Sequence, residues 1–293
     1  VLLLFAVGCA AGPAKTEEPN SSSSSMSVPS ESESSAPPAE TEERPEEPEG
    51  SASEESDASS SGQSAVPAGP ATTQELFAEG YPEAQELLEN MTLEEKVAQV
   101  FLFRCPSENA LAAVQTYQPG GFMLFAKDFD GKTAEQIRTE LESYQQASKI
   151  PMFLAVDEEG STVVRVSCNA NLAPKPFQSP QQMFQAGGMQ AIVDDTIQKT
   201  QLLQSLGLNV NLAPVADVST NPSDFMYART FGQGAAETAD YVKNSVATYN
   251  QQRMACALKH FPGYGNNVDT HTGIAVDHRP YETFMESDFL PFA

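Results

Sequence analysis

The chain has 293 residues, and 40 acidic against 16 basic side chains give it a formal net charge of −24. This excess of negative charge argues against nucleic acid as a partner, because phosphate groups would be repelled. The sequence contains no pattern typical of a metal cluster, a nucleotide-binding loop or a flavin site. We therefore predict neither a metal nor a cofactor.

Residues 1–11 are typical of the tail of a secretory signal, because a short apolar run ends in small residues. The run is too short to span a bilayer as a mature helix. Residues 6–9, Ala-Val-Gly-Cys, are similar to a bacterial lipobox, in which the cysteine becomes the lipidated N-terminus. We expect Cys9 to carry a lipid and the protein to be an extracytoplasmic, membrane-anchored lipoprotein. A plain secretory signal and a buried strand are the alternatives. The sequence has neither an initiator Met nor a basic segment before the apolar run, so we expect that its N-terminus is truncated.

Residues 12–72 consist mainly of Ser, Glu, Pro and Ala and contain almost no large apolar side chain. Such a segment cannot bury enough apolar surface to offset its chain entropy, so we predict a disordered acidic linker. As a flexible coil it would span about 40–45 Å root-mean-square. Residues 73–293 are long enough to bury a substantial core. They contain Cys105, Cys168 and Cys256, which allow at most one disulfide and favour free thiols.

Helix and strand patterns alternate along residues 73–293. Thr92 with Glu95, and Thr133 with Gln136, have the spacing of capping boxes and predict helix starts. Short apolar or alternating runs bounded by Gly, Pro and polar residues predict strands. The predicted strands cover residues 121–125, 152–156, 208–212 and 255–258; the further predicted helices cover residues 191–206 and include 242–249.

Alternating strands and helices predict an α/β fold with parallel strands and right-handed crossovers. Each predicted strand ends in polar, Gly- or Pro-bearing sequence. An open doubly wound sheet would have a Gly-rich phosphate turn near its first strand, and the sequence has none. A (β/α)8 TIM-type barrel, with a site spread over several strand ends, fits better. About five strands are visible by Leu258, so we expect a barrel truncated after five to six strands.

The run Lys259-His260-Phe261-Pro262-Gly263-Tyr264-Gly265, followed by Asp269-Thr270-His271, concentrates chemistry-bearing side chains. It places two of the chain's three histidines, a lysine and an aspartate within thirteen residues. Because it directly follows a predicted strand, it lies where catalytic groups collect in an α/β barrel.

Several other segments accompany this run in a fixed order. They are residues 91–97, 120–125, 157–165, 212–217 and 229–232. Together with residues 259–271 they resemble bacterial glycoside hydrolase family 3, in particular its NagZ-type β-N-acetylglucosaminidase branch. The resemblance runs from about Met91 to Ala293.

The resemblance implies a retaining mechanism in which His271 is the general acid/base and Asp269 orients it. An imidazole with a pKa near 6.5 can protonate the leaving oxygen and then deprotonate water at neutral pH. The family's nucleophilic aspartate is expected beyond Ala293, and neither Asp277 nor Asp288 is assigned this role. The chain alone is therefore expected to be inactive. The resemblance implies that the sugar is bound by Asp157, Arg165, Arg229, Lys259 and His260.

The implied function is an exo-glycosidase that releases terminal β-linked N-acetylglucosamine from cell-wall or chitin-type oligosaccharides. Its partners would be this carbohydrate and, through the lipid anchor, a membrane, with no obligate protein partner evident. A β-glucosidase or β-xylosidase of the same family is one alternative, although these generally lack the Asp-x-His loop. A non-catalytic sugar-binding lipoprotein is another. Whether water or phosphate accepts the glycosyl group stays open.

Four features depart from the family pattern or fall outside it. Ser161 replaces a glycine, so the turn after Glu159 must tolerate a side chain, and Tyr264 replaces a histidine next to the loop that carries His271. Residues 166–188 are Asn-, Pro- and Gln-rich and predict a long loop at the rim of the site. The third histidine, His278, matches no functional position and is expected at the surface.

Overall fold

The computed structural model describes residue 78 and residues 80–293. The predicted signal tail at 1–11 with Cys9, the linker at 12–72 and the first residues of the 73–293 region lie outside this part of the chain. No helix of the described residues is both long enough and apolar enough to cross a bilayer.

The described residues form one parallel sheet whose strands follow each other in chain order. Each strand pairs in parallel with the next, for example Phe122 beside Leu154. The predicted α/β class with parallel strands is confirmed, and within the described residues the sheet stays open, with β1 and β5 at its edges. The strands are β1 (Leu102–Arg104), β2 (Gly121–Leu124), β3 (Phe153–Val156), β4 (Val210–Asn211) and β5 (Ala255–Cys256).

Helices precede the first strand and lie between consecutive strands, as parallel pairing requires. Short 3-10 turns at Tyr227–Arg229 and Leu290–Phe292 and a π-helical turn at Phe284–Asp288 complete the described elements. The helices are α1 (Tyr81–Asn90), α2 (Leu93–Gln99), α3 (Ala110–Tyr117), α4 (Ala126–Phe129), α5 (Ala134–Ala147), α6 (Pro180–Ser205), α7 (Ala235–Gln251) and α8 (Tyr281–Thr283).

The main core lies between the sheet and the helices that flank it. Ile137, Leu141 and Tyr144 fall on one face of α5 because of their helical spacing, and all three are buried. The Tyr144 ring meets the Phe122 ring edge-on, with 5.5 Å between centroids. Leu154 of β3 is fully buried in the same cluster. This packing fixes the sheet from which the loops of the site emerge.

Both predicted capping boxes are present: the Thr92 side chain accepts from the Glu95 amide, and the Thr133 side chain accepts from the Gln136 amide. The four predicted strands all exist, with shorter bounds. Strand β1 was not predicted, because its apolar run at residues 100–103 directly follows the helix pattern of α2, with no Gly or Pro between them.

We predicted a long loop over residues 166–188 and a helix that starts at Ala191. The predicted end of the loop and the predicted start of the helix are both wrong. Helix α6 already begins at Pro180, where the Ser179 side chain caps it by accepting from the Gln182 amide. The dihedral angles at Gly187 and Gly188 are non-helical, so α6 consists of two helical segments joined at these glycines. The capping Ser179 and the proline at the first helical position were the available sequence signals.

We expect Leu154→Ala to lower the free energy of unfolding by about 2–5 kcal/mol, because it leaves a cavity at a fully buried position of β3. Urea unfolding with an unchanged m-value measures this loss. Phe153→Ala is the matched control: its side chain is half exposed on the same strand, so the loss should be smaller. Equal losses for both variants would contradict the placement of the core.

Candidate active site

The site is built at the carboxyl ends of β3, β4 and β5. The pairing of β4 with β5 continues beyond both strands, since Val215 forms a parallel bridge with Lys259 and the Ala216 amide donates to the Lys259 carbonyl at 2.6 Å. This places His260 beside Asp217, while Asp157 directly follows β3. The polar residues after three neighbouring strands therefore share one edge of the sheet, as they do in α/β barrels.

Glu159 is the centre of this arrangement. Its two carboxylate oxygens accept from Arg229 Nε at 2.9 Å and Arg229 Nη2 at 2.8 Å, a bidentate pair. Lys259 Nζ lies 2.5 Å from the same Glu159 carboxylate and donates to Asp157 Oδ1 at 2.6 Å. The Glu159 side chain is almost fully buried, and the two cations are mostly buried. One carboxylate thus joins the loops after β3, β4 and β5.

Two opposing effects act on the pKa of Glu159. Burial alone would raise it, but the hydrogen bond from Arg229 and the positive charges of Lys259 and Arg229 outweigh burial and lower the pKa below 4.5. Glu159 is therefore a carboxylate at neutral pH, and its role is to hold the two cations in place.

Both ring nitrogens of His260 have a hydrogen-bonding partner. Its Nδ1 lies 2.7 Å from Asp217 Oδ2, and its Nε2 lies 3.3 Å from Arg229 Nη2. Because a guanidinium can only donate, Nε2 is the acceptor and Nδ1 carries the proton that Asp217 accepts. Asp217 itself is buried and also accepts from the Tyr264 amide at 2.8 Å. We call the set of Asp157, Glu159, Asp217, Arg229, Lys259 and His260 the charged cluster.

Arg165 lies apart from the charged cluster. Its backbone amide donates to the fully buried Glu158 carboxylate at 2.8 Å, and Glu158 likewise accepts from Val166, so this carboxylate orders the loop. The Arg165 guanidinium lies 5.7 Å from the centroid of the Phe125 ring. Its buried Nε has no hydrogen-bond partner among the described residues.

Asp269 and His271 form a pair on the loop after β5. His271 Nδ1 lies 2.6 Å from Asp269 Oδ1, and the His271 amide also donates to this oxygen at 2.9 Å. These two hydrogen bonds from His271 are the main causes that lower the pKa of Asp269, and the Arg229 charge lowers it further. The His271 side chain is 76% exposed, and within the described residues it makes no hydrogen bond to the charged cluster.

The structure thus joins four of the five predicted sugar-binding residues, Asp157, Arg229, Lys259 and His260, in one network, and pairs His271 with Asp269 separately. The roles predicted for these residues stay predictions. Sequence reasoning assigned no role to Glu159 or Asp217, although both stand at strand ends within the recognised segments. Their partners are distant in the sequence, and this is why no local pattern exposed them.

Ser161, one of the departures from the family pattern, has a structural role next to Arg229. It adopts a left-handed backbone conformation with φ of 60°, and its hydroxyl donates to the Ala228 carbonyl at 2.7 Å. The turn after Glu159 therefore tolerates this side chain and uses it to bind the segment that carries Arg229.

Asp277 and Asp288 both pair with Arg279, at 2.8 Å in each case. The Arg279 hydrogen bond is the main cause that lowers the pKa of Asp277 to about 2. Both carboxylates are thus engaged with one guanidinium. Within the described residues, no group of three or more His, Cys, Asp or Glu side chains could hold a metal ion, and all three cysteines are free thiols.

Parallel strands with helical crossovers and a charged cluster at their carboxyl ends are the arrangement found in α/β barrel enzymes. The model of the glycosyl hydrolase family 3 N terminal domain matches residues 92–293, and the chain belongs to this family. The predicted family resemblance is confirmed.

Two curated relatives and one solved structure illustrate this membership. Beta-hexosaminidase A of Pseudoalteromonas piscicida is 32% identical over 193 residues, covering 61% of this chain and 31% of that protein. Beta-hexosaminidase LpqI of Mycobacterium tuberculosis is 27% identical over 190 residues, covering 63% and 46%. The solved structure of LpqI from M. tuberculosis matches with a TM-score of 0.60 and 25% identity, covering 70% of this chain and 59% of that one. The chain spans about a third to half the length of the curated relatives it matches.

We expect Glu159→Gln to cost about 3–5 kcal/mol of unfolding free energy at neutral pH, because it leaves two largely buried cations without their shared carboxylate. The lowered pKa of Glu159 means that its contribution is complete above pH 4.5 and is lost as the pH falls through the native pKa. The difference in unfolding free energy between wild type and Glu159→Gln should therefore shrink as the pH falls below 4.5.

Urea unfolding at neutral and successively lower pH measures this difference. Glu86→Gln, which makes the same charge change on the exposed surface of α1, is the control. A difference for Glu159→Gln that stayed constant as the pH fell would contradict the assignment.

Proposed function

We propose that the protein containing this chain is a retaining exo-glycosidase that releases terminal β-linked N-acetylglucosamine. The observation that carries the proposal is the charged cluster at the carboxyl ends of β3, β4 and β5, with an Asp–His pair on the loop that follows β5. Membership in family 3 and the beta-hexosaminidase names of its relatives support it.

The charged cluster has unused hydrogen-bonding capacity suited to a sugar. Asp157 Oδ2 has no partner among the described residues, so it can accept from a hydroxyl group. Lys259 directs its ammonium to two carboxylates and has a third proton to donate. A donor on Lys259 and an acceptor on Asp157 are thus fixed by mutual contacts before the ligand arrives, which reduces the entropy lost on binding.

The Asp–His pair supplies the proton transfers. His271 donates a proton to the oxygen of the departing group, and the resulting neutral imidazole then removes a proton from the attacking water. Asp269 accepts the hydrogen bond from Nδ1, which leaves Nε2 as the reacting atom. An imidazole also avoids placing a second carboxylate beside the nucleophile. The nucleophilic aspartate itself stays a prediction.

The assay uses the full-length protein, because the chain spans only part of its relatives. We expect hydrolysis of an aryl N-acetyl-β-glucosaminide, and we expect His271→Ala to lower kcat by about 10²–10⁴-fold, since it removes the acid/base group. Binding of N-acetylglucosamine, measured by calorimetry, should be nearly unchanged. His278→Ala removes another exposed histidine of the segment between β5 and α8 and is the matched control.

The same experiment separates the alternatives. Sugar binding without turnover by the wild-type protein would favour a sugar-binding lipoprotein. Faster turnover of aryl β-glucosides or β-xylosides would favour the other branch of the family. Adding inorganic phosphate to the assay distinguishes hydrolysis from phosphorolysis, since hydrolysis releases the free sugar and phosphorolysis releases the sugar phosphate.

For the location, we propose an extracytoplasmic lipoprotein anchored through Cys9, on the basis of the lipobox-like sequence at residues 6–9. Cys9→Ser removes the thiol that would carry the lipid. We expect the protein to move from the membrane fraction to the soluble fraction when the cells are fractionated, while the Cys168→Ser control stays in the membrane. Equal distribution of the wild type and both variants would contradict the anchor.

A further inference from the structure

Tyr264 lies between the charged cluster and the loop that carries the Asp–His pair. Its amide donates to Asp217 Oδ1 at 2.8 Å, and its ring meets the His260 ring edge-on, with 5.9 Å between centroids. On another side the ring packs against Phe225 at 5.7 Å. The backbone of Tyr264 is therefore held by Asp217, the same buried carboxylate that binds His260.

The Tyr264 hydroxyl reaches the residues on both sides of Asp269. It accepts from the Thr270 amide at 2.9 Å, and it lies 3.0 Å from the Val268 carbonyl and 3.2 Å from Thr270 Oγ1, either of which can accept its proton. The backbone that flanks Asp269 is thus held from one point. Asp269 in turn fixes His271 through two hydrogen bonds.

We call residues 268–272 the dyad segment. Apart from Tyr264, no group elsewhere in residues 80–293 hydrogen-bonds to it. The ends of the surrounding loop are tied separately: Asn267 Nδ2 donates to Asp277 Oδ2 at 2.8 Å, and Asp277 pairs with Arg279. After the dyad segment, Ile274 is 94% exposed. The tied ends limit where the loop can go, and among residues 80–293 the Tyr264 hydroxyl makes the only hydrogen bonds that hold the dyad segment from outside.

We propose that Tyr264 is a positioning residue for the acid/base pair, an inference that rests on the proposed function. Its hydroxyl holds the backbone on either side of Asp269, so that the carboxylate and His271 keep a defined place relative to the charged cluster. Acid/base catalysis depends on that placement, because proton transfer to the leaving oxygen requires hydrogen-bond reach. The position is one where the chain departs from the family pattern, which has a histidine there.

Tyr264→Phe tests this, because it removes the hydroxyl and keeps the ring that packs on His260 and Phe225. In the full-length protein we expect kcat/KM to fall about tenfold for aryl N-acetyl-β-glucosaminides with poor leaving groups. For the best leaving groups it should fall less than about twofold, because these need little protonation. His271→Ala should show the same dependence more strongly. Tyr117→Phe, at an exposed tyrosine of α3, should change neither.

A loss that is uniform across the leaving groups would overturn the proposal, since it would indicate a structural role only. Amide hydrogen exchange provides a second measurement that needs no activity. We expect the Thr270 amide to exchange about fivefold faster in Tyr264→Phe, the factor that corresponds to the net loss of one hydrogen bond. Unchanged exchange at Thr270 would also overturn it.

The two proposals fail in distinguishable ways. If the wild-type protein hydrolyses none of the glycosides, the proposed function fails, and Thr270 exchange still decides whether Tyr264 holds the loop. If the wild type and His271→Ala behave as expected but Tyr264→Phe matches wild type with every leaving group, only the positioning role fails.

Discussion

The sharing of one buried carboxylate by two cations is the interaction on which the site depends. Glu159 pairs with Arg229 from the segment after β4 and with Lys259 from the end of β5, while Lys259 also holds Asp157. Charges removed from water are stable only when they are well paired, so each of these side chains fixes the others. Through Arg229 the network reaches His260, and through Asp217 it reaches Tyr264. These contacts thereby tie the carboxyl ends of β3, β4 and β5 together.

The class of the fold could be predicted because its signals are local. Capping boxes at Thr92 and Thr133, the helical spacing of Ile137, Leu141 and Tyr144, and short apolar runs each depend on a few neighbouring residues. Strand β1 escaped prediction because its apolar run follows α2 with no Gly or Pro to separate the two patterns. The start of α6 was misplaced because Gln-rich sequence and the glycines at its interruption concealed a helix that Ser179 caps.

The candidate site was predictable only in part, and for a physical reason. The family resemblance indicated which polar residues to examine, and four of the five predicted sugar-binding residues lie in one network. The carboxylates that organise them, Glu159 and Asp217, could not be inferred, because their contacts join residues 70 and 43 positions apart. The sequence does not show whether a glutamate is buried or exposed. The role of Glu159 becomes visible only when the fold brings Arg229 and Lys259 to it. The same holds for Tyr264, whose hydroxyl meets backbone groups that carry no side-chain signature.

The bidentate pair between Glu159 and Arg229 also restricts how the protein can diversify. A change at either residue, or at Lys259, leaves a buried charge without its partner, so single substitutions at these positions should be purged by selection before they alter what is bound. Descendants with new preferences would instead acquire them at exposed positions, such as residues 174–176 and the stretch around Ile274, where side chains can be exchanged one at a time. The residues of the charged cluster would then be inherited together, while the exposed residues around them change freely.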